Sequence, residues 1–184
     1  TANEGSDTVS VLLGNGSGGF TSKPEIPVGP YPRYLTAGDF DEDGDEDLAV
    51  CSQGYDISVL IGNGNGTFQS QVVYAAGGMP RGIVAADFNS DSHLDLAAVN
   101  RNDYTFSIFL GQSDGSFQAQ VVTGASIARP NGLLAGDFND DGKPDLAIGG
   151  EGLSRIVLRL GDGTGPPPFT AWMRTNSVGV PVEL

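Results

Sequence analysis

The chain has 184 residues and a formal net charge of −14, with 23 acidic residues against 9 basic ones. That balance excludes a nucleic-acid groove and a polybasic membrane patch, which both need clustered Lys and Arg. The single cysteine, Cys51, excludes an intrachain disulfide, and no apolar run approaches the roughly 18 residues of a membrane-spanning helix.

In chain order, the first predicted element is the strand Val9–Leu13, closed by a glycine turn, Gly14-Asn-Gly-Ser-Gly-Gly-Phe20. A small, apolar strand follows at Leu35–Phe40 and runs into an acidic loop, Asp39-Phe-Asp-Glu-Asp-Gly-Asp-Glu-Asp47. Then come a second strand, Leu48–Cys51, and a third, Ile57–Ile61. A second glycine turn, Gly62-Asn-Gly-Asn-Gly-Thr-Phe68, and a fourth strand, Val72–Tyr74, complete the unit. The series repeats as Ile83–Phe88, the loop Asp87-Phe-Asn-Ser-Asp-Ser-His-Leu-Asp95, Leu94–Val99, Phe106–Leu110, the turn Gly111-Gln-Ser-Asp-Gly-Ser-Phe117, and Gln120–Thr123. It repeats again as Leu133–Phe138, the loop Asp137-Phe-Asn-Asp-Asp-Gly-Lys-Pro-Asp145, Leu146–Ile148, Ile156–Leu160 and a longer turn, Gly161-Asp-Gly-Thr-Gly-Pro-Pro-Pro-Phe169.

The acidic loops start at 39, 87 and 137, which is 48 and 50 residues apart; the glycine turns start at 14, 62, 111 and 161, which is 48, 49 and 50 apart. A period of that size marks a solenoid, propeller or array. No stretch sustains a 3.6-residue apolar period, so few helices are expected. Ala and Gly in the first strands (Ala37-Gly38, Ala85-Ala86, Ala135-Gly136) suit a crowded position, such as the innermost strand beside a propeller axis.

The run Ala135-Gly-Asp-Phe-Asn-Asp-Asp-Gly-Lys-Pro-Asp-Leu-Ala-Ile148, followed by a Gly-x-Gly-x-Gly turn, resembles the FG-GAP/VCBS repeat. That is the calcium-binding blade repeat of integrin α-chain-like β-propellers, and the resemblance covers almost the whole chain. It implies an all-β fold of four-stranded antiparallel blades, with an ion in the hairpin loop joining a blade's first two strands. It also implies a secreted or cell-surface protein that serves adhesion or ligand binding, or an accessory domain on a larger enzyme.

The chemistry of the loops supports the same reading. Calcium takes 6–8 oxygen ligands at about 2.3–2.6 Å, and alternating side chains let a short loop wrap one point. The expected side-chain ligands are Asp39, Asp41, Asp43 and Asp47, then Asp87, Asn89, Asp91 and Asp95, then Asp137, Asn139, Asp141 and Asp145. Asp45, His93 and Lys143 are expected to give their carbonyls, for about three Ca²⁺ ions in all. Gly44 and Gly142 at position 6 allow a sharp turn at positive φ; Ser92 replaces that glycine in the second loop, where strain and weaker binding are expected. An EF-hand needs a bidentate Glu at position 12, but here that position is Val50, Ala98 or Ile148. An all-oxygen set without Cys or a His side chain is also wrong for zinc. Four clustered carboxylates without a cation would cost several kcal/mol in repulsion and lost hydration.

Other features carry less. Gly14-x-Gly16-x-x-Gly19 matches a dinucleotide fingerprint in letters, but no helix follows it. His93, the only histidine, lies in an acidic loop, and Cys51 reads as a small buried hydrophobe. No acid–base constellation stands outside the loops, so the chain is not expected to be an enzyme. Tyr55 and Tyr104 occupy equivalent hairpin tips, where a sugar-stacking surface competes with ordinary packing. Arg33 and Arg81 each follow a Pro at the start of a first strand and are expected to pair with nearby acids rather than to line a ligand rim.

The predicted blades are 33–75, 81–123 and 131–175, with a half blade at 1–28 and the start of a next repeat, or a link, at 176–184. About three and a half repeats do not comfortably close a ring of roughly four to eight blades. Three arrangements follow: part of a larger propeller through covalent continuation, an open array, or a ring assembled by self-association. The cut points inside repeats favour the first. The functional expectation is a calcium-stabilised extracellular module for protein or glycan binding and adhesion, with the metal structural and with neither nucleic-acid binding nor membrane insertion. The alternative is an accessory, or less readily a catalytic, propeller domain of a polysaccharide-active enzyme.

Overall fold

Short β-branched runs cut by glycine turns fold into strands alone. The computed structural model describes residues 1–151 and 156–164, with the backbone of 171–175 and 181–182. Phe169 at the end of the fourth glycine turn lies outside the described residues, as do the side chains of Trp172 and Met173 and most of 176–184. No helix is present among the described residues, and so none long and apolar enough to cross a membrane.

The first strands form a half-blade: β1 Ala2–Asn3, β2 Thr8–Val9, β3 Leu12–Gly14, β4 Phe20–Ser22 and β5 Ile26–Pro27. They pair as two small sheets, β1-β2-β5 and β3-β4. The expected continuous strand Val9–Leu13 is split into β2 and β3, and between them the Ser10 N–H donates to the Thr1 carbonyl (2.9 Å). Blade 1 follows with β6 Pro32–Gly38, β7 Asp47–Ser52, β8 Asp56–Leu60 and β9 Val72–Ala75. Blade 2 has β10 Pro80–Ala86, β11 Asp95–Asn100, β12 Thr105–Phe109 and β13 Val121–Gly124. Blade 3 has β14 Pro130–Gly136, β15 Asp145–Gly150, β16 Ile156–Leu160, β17 Ala171–Thr175 and β18 Pro181–Val182. Blades 1 and 2 are four-stranded antiparallel meanders; in blade 3, β18 pairs outside β17 as a fifth strand.

Each first strand begins three residues before its expected start, at a proline. Pro32 opposes Ser52, the register then slips, and Tyr34 opposes Cys51; the slip recurs at Pro80/Ile83 and Pro130/Gly132. Proline is tolerated as the first residue of a strand, and a bulge absorbs the extra residue. The same strands end at Gly38, Ala86 and Gly136, leaving Phe40, Phe88 and Phe138 in the acidic loops rather than in the strands.

The first strands line up side by side, β6 against β10 and β10 against β14, so the blades fan out from them. The apolar core therefore lies between blades and is divided by seam. Val9 and Val28 of the half-blade meet Val50 and Leu60 of blade 1. Phe40, Cys51, Ile57 and Val59 of blade 1 meet Ile83, Leu96, Phe109 and Phe117 of blade 2. Phe88, Val99, Phe106 and Ile108 of blade 2 meet Leu146, Ile148 and Val157 of blade 3. In the middle seam the Phe40 and Phe117 rings meet edge-to-face at 5.4 Å and 78°. Tyr74 adds a second such contact to Phe117 at 5.7 Å, and its hydroxyl accepts from the Phe117 N–H (3.0 Å). In the last seam Arg159 takes the place that Leu60 and Phe109 hold in the other blades. Its guanidinium lies 6.0 Å from the centre of the Phe106 ring and donates to the Gly124 carbonyl (2.7 Å).

Blades that touch only their neighbours give a nearly one-dimensional stability, a sum of blade and seam contributions. Phe109→Ala should therefore cost about 3–5 kcal/mol, measured as a lowered urea midpoint, because Phe109 is fully buried in the middle seam.

Candidate metal centre

Each acidic loop leaves a first strand and returns as a second strand, so its two ends are fixed by antiparallel pairing: Gly38 opposes Asp47, Ala86 opposes Asp95 and Gly136 opposes Asp145. Between them the chain turns through two left-handed residues. Position 6 has φ of 92° at Gly44, 75° at Ser92 and 82° at Gly142. Ser92 thus occupies the strained backbone expected of it. Position 4 is also left-handed, with φ of 61° at Glu42, 60° at Ser90 and 59° at Asp140. This second turn was not legible in the residues, because none of them is glycine.

Positions 1, 3 and 5 curl their oxygens toward the loop interior. Asp39 Oδ2 accepts from the Gly44 N–H (3.0 Å), Asp87 Oδ2 from Ser92 (2.9 Å) and Asp137 Oδ2 from Gly142 (2.8 Å). The Gly142 amide is the main reason the Asp137 carboxyl lies below its ordinary value. Asp43 Oδ1 accepts from Asp45 (2.9 Å), Asp91 Oδ1 from His93 (2.9 Å) and Asp141 Oδ1 from Lys143 (3.0 Å).

The loops then diverge at position 3. In loops 2 and 3 the amide of Asn89 donates to Asp91 Oδ2 (2.8 Å), and that of Asn139 to Asp141 Oδ2 (3.1 Å). In loop 1 the equivalent residue is Asp41, which has no such donor to offer. Carboxylate oxygens of Asp39, Asp41 and Asp43 all lie within 4.8 Å of one another. Asp39 Oδ1 is buried and has no hydrogen-bond partner. A buried, unpaired carboxylate oxygen beside two further carboxylates is costly unless a cation completes it. The residues of loop 1 therefore fit a hard dication such as calcium, with the oxygen-only set that such an ion takes.

Position 9 is held differently. Asp47, Asp95 and Asp145 are fully buried. One oxygen of each accepts from the loop's own phenylalanine: Phe40 to Asp47 (2.7 Å), Phe88 to Asp95 (2.9 Å), Phe138 to Asp145 (2.8 Å). The other accepts from the first glycine of the next turn: Gly62 to Asp47 (2.6 Å), Gly111 to Asp95 (2.8 Å), Gly161 to Asp145 (2.8 Å). A carboxylate has about four lone-pair positions, so these two amides leave capacity for an ion. Burial raises the Asp95 carboxyl to about 6, against the lowering by the Gly111 and Phe88 amides; burial also raises Asp47. The glycine is required by the close approach: a Cβ on Gly62 would sit 2.5 Å from the Glu46 carbonyl oxygen. The link between acidic loop and glycine turn was missed in the sequence, although its signal was there in the fixed separation of 15 or 16 residues between the Asp and the Gly.

Position 7 sends its side chain away from its own loop in all three cases. The Asp45 carboxylate lies against Gly64 of the glycine turn. His93 pairs through Nδ1 with Glu42 of the neighbouring loop, and Lys143 Nζ donates to the Asp162 carbonyl (2.7 Å). Elsewhere, Arg33 pairs with Glu4 and Arg81 with Glu151 (3.5 Å), each across a seam, as ordinary charge pairing. Cys51 is buried, which raises its thiol pKa, as its role in the core requires.

A family model described as FG-GAP-like repeat matches residues 1–50, 39–98 and 87–148. The chain belongs to the FG-GAP-like repeat family. No individual curated protein matches it at a significant level. Each FG-GAP-like match after the first begins at the first aspartate of an acidic loop, at residue 39 and at residue 87.

The two kinds of aspartate should separate experimentally. Asp95→Asn puts an amide NH₂ against a backbone N–H, and should cost about 1.5–3 kcal/mol even in excess chelator. Asp41→Asn should leave the chelated protein nearly unchanged in the same urea titration.

Proposed function

We propose that this chain is a calcium-stabilised extracellular binding module, in which about three structural cations brace the blades and a protein or glycan ligand is taken at their opposite end. The metal half of the reading rests on the Asp39, Asp41 and Asp43 cluster and on the unpaired Asp39 oxygen. When bound, the ion would neutralise carboxylates that otherwise repel, and these residues would hold it without chemistry passing through it. Positions 3 of loops 2 and 3 are amides, so their ions would bind with less charge.

The ligand half rests on one observation. Tyr31, Tyr55 and Tyr104 are more than half exposed and all stand in the left-handed region, at φ of 55°, 68° and 57°. That conformation costs a non-glycine residue about 1 kcal/mol or more. It is held by the backbone: the Tyr31 carbonyl accepts from Gln53, that of Tyr55 from Ala76 (2.8 Å) and that of Tyr104 from Ala125 (2.9 Å). Tyr31 precedes the start of β6, and Tyr55 and Tyr104 cap the hairpins into β8 and β12. All three therefore lie at the end of the blades away from the acidic loops. Rigid, exposed tyrosines give large contact area at low entropic cost, against a sugar face or a protein surface. The reading assigns no catalytic role, since among the described residues no nucleophile, base and orienting group converge outside the loops.

Chelation is expected to lower the melting temperature. At about 1 mM calcium and a site constant near 10 µM the linkage is roughly 2.7 kcal/mol per site; an unchanged melt in excess chelator would refute the structural role. Ser92→Gly should relieve the left-handed strain and tighten the second site, seen as a larger calcium-induced melting shift. On a glycan array and in pull-downs with candidate surface proteins, Tyr55→Ala/Tyr104→Ala should lose binding at an unchanged melting temperature. Turnover of a polysaccharide by this chain would replace the binding reading with a catalytic one.

A further inference from the structure

The repeat shows what each blade face takes as a partner, because the same positions recur at successive seams. On the face that looks toward the next blade, Phe40 and Phe88 are 2 % and 4 % exposed, and Ile57 and Phe106 are fully buried. Their counterparts in blade 3 are Phe138, 43 % exposed, and Ile156, 50 % exposed, with Leu134 exposed beside them. On the face that looks toward the preceding blade, Leu60 and Phe109 are buried, as is Phe117. Their counterparts in the half-blade are Leu12 and Phe20, and Phe20 is 70 % exposed. Among the described residues the chain thus carries one uncovered face of each kind. We propose that these two faces bind each other between copies, the outer face of blade 3 receiving the half-blade of a second copy of this chain.

The middle seam supplies the template. There the acidic-loop ring of one blade, Phe40, meets the glycine-turn ring of the next, Phe117, edge-to-face. The proposed junction brings the same two positions together, Phe138 of one copy and Phe20 of the other. Leu12 takes the place of Leu60 or Phe109 against Leu134 and Ile156. The contact is heterologous: a head meets a tail, so a pair keeps one further face of each kind, one on each copy, and either closes on itself or extends. A second copy suits these faces because each finds in the other the residue types that cover its equivalents inside the chain.

The test is sedimentation velocity of the whole chain over a range of concentrations in calcium-containing buffer. Reversible association is expected, and Phe138→Asp or Phe20→Asp should each weaken it by about thirtyfold or more, as for a central aromatic anchor. An equimolar mixture of the two variants retains one intact face of each kind and should recover a dimer that neither variant forms alone. Leu12→Glu provides a second lesion on the half-blade face if Phe20→Asp disturbs the fold, which circular dichroism would report. A monomer at every concentration, association indifferent to both substitutions, or a mixture no larger than its components would each overturn the proposal.

Discussion

Every blade depends on a buried carboxylate shared between two backbone amides. Asp47, Asp95 and Asp145 sit at the first position of a second strand, yet each bonds forward to the glycine turn after the third strand and back to the phenylalanine of its own loop. One side chain thereby fixes three segments that the strand ladder alone would leave loosely tied. Charge-assisted bonds of this kind are short and strong in a low-dielectric interior, and they offset the cost of burying an ionised group. The consequence reaches outward. The same residue aims the loop phenylalanine into the seam, and it sets the loop's far end so that positions 1, 3 and 5 converge.

The two ends of the blades are built differently. At one end, acidic loops and glycine turns are tied by Asp–amide bonds, and neighbouring loops touch through His93 and Glu42. At the other, hairpin tips carry tyrosines on a strained backbone, and Arg33, Arg81 and Arg101 pair across seams with Glu4 and Glu151. The seams between the two ends are apolar and continuous. One end is thus braced by carboxylate–amide bonds, and the other presents exposed rings on a backbone held by hydrogen bonds.

Much of this was legible in the residues. The period, the strand order, the first strands as innermost and the acidic loops as hairpin connections all followed from spacing and composition, because a repeat states its pattern several times over. Gly44 and Gly142 announced the turn at position 6. Glu42, Ser90 and Asp140 did not announce the one at position 4, since left-handed backbone in a non-glycine residue leaves no mark in the letters. The starts of the first strands were misplaced by three residues because proline reads as a strand breaker, while here it opens a strand and a bulge follows. The pair of hydrogen bonds that Asp47 accepts was invisible because its donors are main-chain amides, which every residue but proline possesses.

Arg159 has a consequence of another kind. Where seams are built from equivalent positions, nothing in the apolar packing itself says which blade belongs beside which, and a chain still folding can pair the wrong neighbours. Arg159 stands where its counterparts are Leu60 and Phe109, lies over Phe106, and reaches the carbonyl of Gly124 and the hydroxyl of Ser126. Set against blade 1, it would face Ile57 and Gly77 in place of Phe106 and Ser126, and would lose the ring and the hydroxyl. The exception to the repeat thus makes the last seam unlike the other two and favours one neighbour for blade 3 over another.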